Sequence, residues 1–424
     1  MSREYKDSGI PWIGRIPKEW RIGKIKNYYS LQTGFTPDTK NELYYDDQGA
    51  LWANIADLGR EHYIDDTKKK ISNLFISKYN PNIVPKGSLL YSFKLSVGSV
   101  AITAKDMYTN EAIAAFIKKD DISLDFLYYS SQVCIIFNAN ENIYGAKILN
   151  QDLINNAIII FPPLSEQQKI ADYLDKVCGE ADEMIALQEE MIEELKAYKQ
   201  SVITEAVTKG LNPNVPMKDS GIDWIGEIPE HWNQHQFRRL FQIKKNIAGK
   251  LGYDVLSVTQ GGIRVKDLTK NEGQIAQDYS KYQLVDIDDY VMNHMDLLTG
   301  YVDCANQYGV TSPDYRVFRA IDKTQVALSY YLRIFQTCYK ERIFYHLGQG
   351  VSGMGRWRLP AEQLKLFVLP TPPLDEQRQI AVFLDSKCSD IDSLIAVKQQ
   401  KIEELKVYKK SIIYEYVTGK KEVI

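Results

Sequence analysis

The sequence contains an internal repeat. The stretch KDSGIPWIGRIPKEW at residues 6–20 returns as KDSGIDWIGEIPEHW at residues 218–232, with 11 of 15 positions identical. A second pair of stretches, residues 162–208 and 372–418, shares 25 of 47 positions. The offsets of 212 and 210 residues are nearly equal, so the chain is one unit of about half its length, duplicated. A repeat this long is no solenoid period, and we expect an internal dimer.

The segments between the shared stretches, roughly residues 21–160 and 233–370, have few identities but keep a common apolar frame. Aligning Gly98 with Gly300 also brings Phe116 onto Phe318. Apolar positions agree in this alignment while polar positions differ. The simplest interpretation is that the shared stretches do one job twice, whereas the divergent segments, called the arms from here on, serve two different targets.

Length and cysteine usage narrow the class of protein. At 424 residues the chain is long enough for two or three domains with cores of their own. No apolar run reaches the roughly 18 residues that a membrane span needs, and the first ten residues lack the apolar stretch of a secretion signal. The five cysteines contain no CxxC pair, which argues against a disulfide framework or a zinc site. These features favour a cytoplasmic protein with reduced thiols.

The charge distribution permits nucleic-acid binding without demanding it. The net charge of −3 argues mildly against such binding for the chain as a whole. Residues 161–210 hold 11 acidic and 5 basic residues, however, so the arms are close to neutral. A DNA-binding surface needs local positive charge, and the arms can supply it.

Each copy of the second shared stretch predicts one long helix. Pro162-Pro163 and Pro372-Pro373 end an extended run, and Ser165 and Asp375 follow them as candidate N-caps. No proline interrupts the next 43 or so residues, and a helix of that length is on the order of 65 Å long. Apolar residues recur at heptad-like spacing at Ala181, Ile185, Ile192, Leu195 and Val202, and at Ile391, Ile395, Ile402, Leu405 and Ile412. We therefore expect an antiparallel coiled coil.

A second apolar edge on each helix would stay uncovered in a two-stranded coiled coil. Its residues are Leu174, Met184, Met191 and Tyr198 in the first copy, and Leu384, Leu394 and Tyr408 in the second. Packing on the arms or on an external partner helix would cover this edge. Since both copies keep the pattern EELKxYK, at residues 193–199 and 403–409, we predict two copies of one partner. A purely structural spacer is the alternative for the stripe between the helices.

The arms mix short β-like runs with amphipathic helices. Residues 88–103 and 289–305 each predict a strand, a turn and a second strand. Residues 123–140 and 328–347 each predict an amphipathic helix. We expect α+β domains with a strongly twisted antiparallel or mixed sheet.

A turn-rich loop after each arm helix is the main candidate for DNA contact. Residues 346–360 combine four glycines with polar and basic side chains, and the glycines would let a phosphate approach while arginine reads base edges. The alternative is that the glycines only turn a corner and that the arginines form surface ion pairs. The candidates are Gln349, Ser352, Arg356 and Arg358 in this loop, Asn140, Tyr144 and Lys147 in the first-arm loop, and the weaker Ser92, Lys94, Asn293 and His294.

No catalytic constellation stands out. A GxGxxG pattern at residues 348–353 follows a predicted helix rather than a strand, so it is a weak dinucleotide signal. The sequence has no Walker A loop, HExxH or GxSxG motif, and its five histidines share no ligand spacing. Two alternatives to DNA recognition stay open: a coiled-coil scaffold that holds two proteins without DNA, and an enzyme that uses the glycine-rich loop or acts as a nuclease.

Taken together, these motifs resemble the specificity subunit of type I restriction–modification enzymes. Each arm is led by SGIxWIGxIPxxW and followed by PPLxEQxxIAx(Y/F)LD and a long helix. TNEAIAAF at residues 109–116 and NHMDLLTGYV at residues 293–302 resemble versions of that family's target-recognition domains. The resemblance covers essentially the whole chain.

The resemblance implies an internal pseudo-twofold repeat, with target-recognition domains at residues 1–160 and 211–370 and long helices at residues 161–210 and 371–424. Each arm would read one half of a bipartite, asymmetric DNA site, and the helices would set the spacer. Two methyltransferase subunits would dock on the second apolar edge, and two restriction endonuclease subunits would join them. This chain would hold no catalytic residue, metal or cofactor, because S-adenosylmethionine, ATP and Mg²⁺ would serve the other subunits. The two chain termini would lie together.

Overall fold

The computed structural model describes residues 3–94, 96–119, 122–141, 147–267, 278–350 and 357–423. The chain divides into two compact units, one of residues 1–188 and 400–424 and one of residues 189–399. Each unit therefore contains one arm, the start of one long helix and the end of the other. The predicted boundaries at residues 160, 210 and 370 stay predictions, since the units divide the chain within the helices instead.

The first arm is built on a mixed five-stranded sheet. In spatial order its strands are Tyr29–Thr33, Ile113–Lys118, Leu89–Ser92, Val100–Thr103 and Tyr63–Ile64. All neighbours are antiparallel except the last pair, which is parallel. Both faces of the central strand are covered, because Leu89 and Leu90 belong to two different core clusters. The predicted strand, turn and strand over residues 88–103 are confirmed.

Smaller elements complete the first arm. Strands Tyr108–Thr109, Tyr45–Ala53 and Lys69–Ile71 form a second sheet, and three ribbons pair Tyr5–Asp7 with Arg15–Pro17, Arg21–Lys24 with Ile158–Phe161, and Asn140–Glu141 with Lys147–Ile148. The helices are Ile25–Tyr28, Asn73–Tyr79, Leu124–Cys134 and Gln151–Asn155, with 3₁₀ turns at Glu42–Tyr44, Ile55–Asp57 and Ile136–Asn138. The predicted arm helix at residues 123–140 is thus one helix followed by a 3₁₀ turn.

The second arm repeats this strand order. Its four-stranded antiparallel sheet runs Phe241–Lys244, Arg316–Ala320, Tyr290–Met292 and Val302–Cys304. Phe318 lies opposite Ile243 as Phe116 lies opposite Leu31 in the first arm. The apolar frame inferred from the aligned sequences therefore corresponds to one sheet topology, and the α+β prediction is confirmed.

The rest of the second arm consists of ribbons and short helices. The ribbons pair Met217–Asp219 with Glu227–Pro229, Asn233–Gln236 with Val368–Thr371, Leu256–Thr259 with Gly262–Val265, and Gln283–Val285 with Gly309–Thr311. The helices are Phe237–Leu240, Leu328–Lys340, Ile343–His346 and Ala361–Leu366.

The two long helices are Leu164–Lys209 and Leu374–Val417, with 46 and 44 residues. In the second unit they run antiparallel, since Met191 contacts Lys398 while Lys199 pairs with Asp392. Of the predicted heptad stripe, Ala181, Ile192, Ile391, Ile402, Leu405 and Ile412 are buried. The predicted coiled coil is confirmed within each unit.

The helix starts differ from the prediction in their capping. Ser165 and Asp375 lie inside the first turn, because the helices begin at Leu164 and Leu374. The carbonyl of the preceding residue, Pro163, accepts the N–H groups of Glu166 and Gln167 at 2.8 and 2.9 Å. The second proline of each Pro-Pro pair therefore takes the place that was predicted for the N-cap side chains.

A buried glutamine fastens each helix start to the arm beside it. Gln377 accepts the N–H of Ala327 at 2.8 Å and donates to the carbonyl of Pro372 at 2.9 Å. Gln167 accepts the N–H of Ser123 at 3.1 Å in the first unit. This contact gives the repeated EQ pair of the sequence a structural role in both copies.

The chain termini come together within the first unit. Lys420 Nζ donates to the carbonyl of Arg15 at 2.7 Å, and the Tyr414 hydroxyl donates to the carbonyl of Trp12 at 2.7 Å. Gly419 has a φ of +69°, and a Cβ there would lie 2.5 Å from a proline ring of the first shared stretch. The expected closure of the two ends is confirmed.

Neither long helix nor any shorter described helix carries an apolar stretch sufficient to span a membrane. No group of metal-ligating side chains in the described ranges is arranged to hold a metal ion. All five cysteines are free thiols, and Cys178 and Cys388 are buried packing residues at equivalent helix positions.

Candidate nucleic-acid interface

The described candidate residues of the second arm gather beside the end of strand Tyr290–Met292. Asn293 and His294 follow that strand directly. Gln349 and Arg358 face each other in an antiparallel bridge, with N to O distances of 2.7 and 2.9 Å. The N–H of the residue after Arg358 donates to the carbonyl of His294 at 2.9 Å. The fold thus brings the glycine-rich loop and the strand end together.

These side chains differ in their accessibility. Gln349 and Arg358 are exposed, whereas Asn293 and His294 are half-buried. Ser352 and Arg356 lie outside the described residues, so their predicted DNA contacts stay predictions. The accessible part of this region is therefore polar and basic, as a surface that contacts phosphates or base edges requires.

His294 is an unusual histidine within this group. Its Nδ1 is buried and has no hydrogen-bond partner in the described part of the chain. Burial, together with the nearby positive charges of Arg316 and Arg358, lowers its pKa to about 4. The imidazole is therefore neutral at physiological pH.

Arg316 is a functional candidate that the sequence reasoning missed. It opens strand Arg316–Ala320, is 8% exposed, and donates from Nη1 to the carbonyl of Leu359 at 3.1 Å. Burial lowers its pKa to about 10. In the alignment of the two arms it stands where the first arm has Ala114. A charged residue at a position of the buried apolar frame was the signal available in the sequence.

The first-arm candidates lie in three different environments. Ser92 is fully buried at the end of a strand whose two faces are covered, so it cannot contact DNA and that prediction is corrected. Lys94 is exposed. Asn140 and Lys147 are exposed on a short ribbon, where Lys147 pairs with Glu141. Tyr144 lies outside the described residues.

An exposed aromatic group in the first arm also escaped the sequence reasoning. Phe35 is 50% exposed and stacks on Tyr79, with ring centroids 5.7 Å apart. Lys78 Nζ lies 5.1 Å from the centre of the Tyr79 ring and 2.8 Å from the hydroxyl of Tyr44. Exposed aromatic rings beside a cation are typical of surfaces that contact nucleic acids. The group forms from residues far apart in the sequence, which local patterns do not reveal.

Two predicted partner-binding residues of the helices are corrected. Leu174 and Leu384 are fully buried, because the arm helices Leu124–Cys134 and Leu328–Lys340 contribute to the same cores. They therefore hold the arm on the helix and cannot contact a separate subunit.

The other residues of the second apolar edge remain accessible. Met191 is half-buried, with Lys398 Nζ 3.3 Å from its sulfur. The remaining predicted side chains are each about half exposed: Met184 and Tyr408 in the first unit, and Leu394 and Tyr198 in the second. Leu187 and Val397, which were not predicted, are also at least half exposed. These two sets are equivalent under the 210-residue repeat. Each unit therefore presents apolar or aromatic residues to solvent at the same three positions of the repeat.

Comparison with known families explains the duplicated architecture. Residues 17–197 and 237–407 both match the sequence model of the type I restriction modification DNA specificity domain. The chain belongs to this family. Each of the two specificity-domain matches includes most of one arm and most of one long helix, in agreement with the internal duplication.

Two of the named relatives of the specificity-domain family come from Methanocaldococcus jannaschii. The specificity subunit of the type I restriction enzyme MjaIX is 28% identical over 260 residues, which span 58% of this chain and 56% of that protein. The specificity subunit of the type I restriction enzyme MjaVIII is 24% identical over 426 residues, spanning 96% of this chain and 94% of that protein.

A solved structure shares the specificity-domain fold. A chain from a study titled "Structural basis underlying complex assembly and conformational transition of the type I R-M system" superposes with a TM-score of 0.68. It is 15% identical, and the superposition covers 95% of this chain and 98% of that chain. At this identity the likeness shows the fold.

Proposed function

We propose that the chain is the DNA-recognition subunit of a type I restriction–modification complex and that each arm reads one half of a bipartite, asymmetric site. The observation that carries the proposal is the common strand order of two arms that expose different side chains. The second arm offers Gln349 and Arg358, while the first offers Phe35 and Lys94. One scaffold with two different contact surfaces suits a DNA site whose two halves differ.

The two long helices support the spacer and partner part of the proposal. Each is continuous from one unit into the other, and 46 residues of helix extend about 69 Å. Half-sites one helical turn apart are about 34–36 Å from each other, so a helix of this length suffices to set the spacer. The equivalent exposed edges on the two units suit two identical methyltransferase subunits, which two restriction subunits join.

Catalysis is assigned to those other subunits. In this proposal the methyltransferase subunits bind S-adenosylmethionine and methylate adenine N6, and the restriction subunits use ATP and Mg²⁺ to cleave DNA. The chain described here contributes no catalytic residue and binds no cofactor. The support is the family assignment together with the absence of catalytic motifs from the sequence.

The decisive experiment is methylome sequencing of the source strain with and without this gene. Deletion is expected to remove one bipartite N6-methyladenine motif, and re-expression of the chain is expected to restore it. Re-expression of a Gln349→Ala variant should degrade recognition of one half-site only. A motif that persists after deletion would contradict the proposal. A motif that is lost on deletion of the gene but is unchanged by substitutions in either arm would favour a coiled-coil scaffold without DNA binding.

A further inference from the structure

We propose that Arg316, His294 and Arg358 form a site in the second arm that binds one phosphodiester group of the DNA backbone. The proposal rests on the proposed DNA-recognition function and names the chemical group that this part of the arm would hold. It adds a buried residue, Arg316, to the contact surface.

The positive charge of Arg316 has no counter-charge on the described part of the chain. The residue is 8% exposed, and its Nη1 donates a hydrogen bond to the carbonyl of Leu359. Among the described residues no carboxylate forms an ion pair with Arg316, in contrast to Arg319 of the same strand, which has two carboxylate neighbours. Burial of an ion is unfavourable unless a counter-charge is present. A buried cation without a protein counter-charge indicates an anion that comes from outside.

Polar and basic groups surround Arg316. The carbonyl of His294 accepts the N–H of Leu359 at 2.9 Å, and Arg316 donates to the carbonyl of Leu359, the residue that follows Arg358. The positive charges of Arg316 and Arg358 both contribute to the lowered pKa of the His294 imidazole. The neutral imidazole keeps its Nδ1 buried and without a partner in the described ranges. Two cations and one imidazole nitrogen without a partner thus lie around Leu359, and a phosphate offers both the negative charge and the oxygen atoms to satisfy them.

The burial of Arg316 favours a phosphate over a base edge. Arg358 is exposed, whereas Arg316 is buried. A side chain recessed in this way does not project into a DNA groove. A base edge is also neutral and would leave the positive charge of the site without compensation. The phosphodiester group, which carries the negative charge of DNA, meets both conditions.

The site belongs to one arm only. Arg316 pairs with Met292 across the sheet as Ala114 pairs with Tyr91 in the first arm. The first arm therefore has an apolar side chain where the second has the buried cation. We expect the second arm to hold the DNA backbone through a contact that the first arm lacks.

The same strand supplies a matched control. Arg319 lies three residues after Arg316, so its side chain points to the opposite face of the sheet. Its guanidinium lies 3.5 Å from Asp286 and 3.8 Å from Asp289. Replacing Arg319 with glutamine removes the same charge as Arg316→Gln but from a position that already has carboxylate partners.

The first test measures DNA binding by the complex of the full chain with its methyltransferase subunits. Dissociation constants are determined over a range of salt on a duplex with the methylated motif and on one without it. Arg316→Gln is expected to weaken binding to both duplexes by a similar factor. It should also lower the slope of log affinity against log salt concentration by about 0.9, the value for one phosphate contact. Arg319→Gln should leave the slope unchanged. An unchanged slope for Arg316→Gln, or a loss confined to the motif duplex, would overturn the proposal.

A second test is independent of DNA recognition. Thermal unfolding of the full chain is followed in inorganic phosphate and in chloride at equal ionic strength. Phosphate is expected to stabilise the wild-type chain and the Arg319→Gln variant to the same extent. It should stabilise the Arg316→Gln and Arg358→Gln variants less than the wild-type chain. Because Arg358 is exposed, its variant keeps the test valid if Arg316→Gln fails to fold. Equal stabilisation of all variants by phosphate would refute the anion site. Failure of the wild-type complex to bind duplex DNA would refute the proposed function instead.

Discussion

The ammonium group of Lys199 lies 2.6 Å from the carboxylate of Asp392 and links the second half of one long helix to the first half of the other. Lys409 makes the equivalent contact with Asp182 in the other unit. The two ion pairs are related by the 210-residue repeat, so the helices pair in the same register in both units. Each lysine occupies a position of the heptad stripe, where it specifies this register through its charge.

Reversing one of these charges should destabilise the second unit. Asp392→Lys places two cations together, and we expect a loss of about 1 kcal/mol, since partly exposed pairs contribute little more than that. The exchange variant Lys199→Asp/Asp392→Lys should recover most of the loss. Urea unfolding at low salt measures the free energy of unfolding of both variants. The control is Asp390→Lys, on the exposed side of the same helix. An exchange variant no more stable than Asp392→Lys would show that the pair does not specify the register.

The buried glutamine at the start of the second long helix should be far more important for stability. Gln377→Leu keeps the side-chain volume but leaves the N–H of Ala327 and the carbonyl of Pro372 without their partner. We expect a loss of about 2 kcal/mol, typical of an unsatisfied buried polar group. Gln379→Leu, two residues further along and exposed, is the control. Similar unfolding free energies for the two variants would be inconsistent with the role assigned to Gln377.

The depressed pKa of His294 predicts a specific dependence of stability on pH. The unfolded chain takes up a proton near pH 6.5, whereas the folded chain takes it up only near pH 4. Between these values the unfolded state binds more protons, so stability falls as the pH drops from about 6.5 to about 4. His294→Gln removes this contribution and should lose less stability over that range. Urea unfolding at several pH values measures the difference, and parallel curves for the two proteins would contradict the assignment.

The exposed aromatic group of the first arm should contribute to DNA affinity. Phe35→Ala removes a half-exposed ring, and we expect the complex with the methyltransferase subunits to bind DNA roughly tenfold more weakly, since stacking on a base contributes about 1–3 kcal/mol. Leu211→Ala, an exposed apolar side chain outside the arms, is the control. Fluorescence anisotropy with a labelled duplex gives the affinities. Equal affinities for the wild-type chain and Phe35→Ala would exclude a role for this ring in DNA contact.

The equivalent exposed edges predict the stoichiometry of the complex. Met184→Asp/Tyr408→Asp should remove one methyltransferase subunit, and adding Leu394→Asp/Tyr198→Asp should remove the second, because a carboxylate cannot be buried in an apolar interface without a large penalty. Native mass spectrometry counts the bound subunits. Glu193→Ala, an exposed polar change on the first helix, should leave two bound. Two subunits bound to the fourfold variant would place the docking surface elsewhere.

The glycine-rich loop shows how far local sequence patterns reach. Its composition pointed to DNA contact, and the structure places Gln349 and Arg358 at an accessible surface. The same reasoning selected Ser92, whose exposure is decided by the two core clusters on either side of its strand. A short polar residue at a strand end has the same local signature whether the strand is central or at an edge.

The sequence by itself determined the duplication, the two long helices, their heptad pairing and the strand–turn–strand order of both arms. These features are encoded in contiguous residues, as repeats and as apolar periodicity, and need no knowledge of distant contacts. Only the tertiary structure decided that Leu174 and Leu384 belong to arm cores and that Arg316 and His294 both contact the backbone of Leu359, next to Arg358. Burial and charge pairing depend on which distant elements pack together, and that information is not present in any one stretch of the chain.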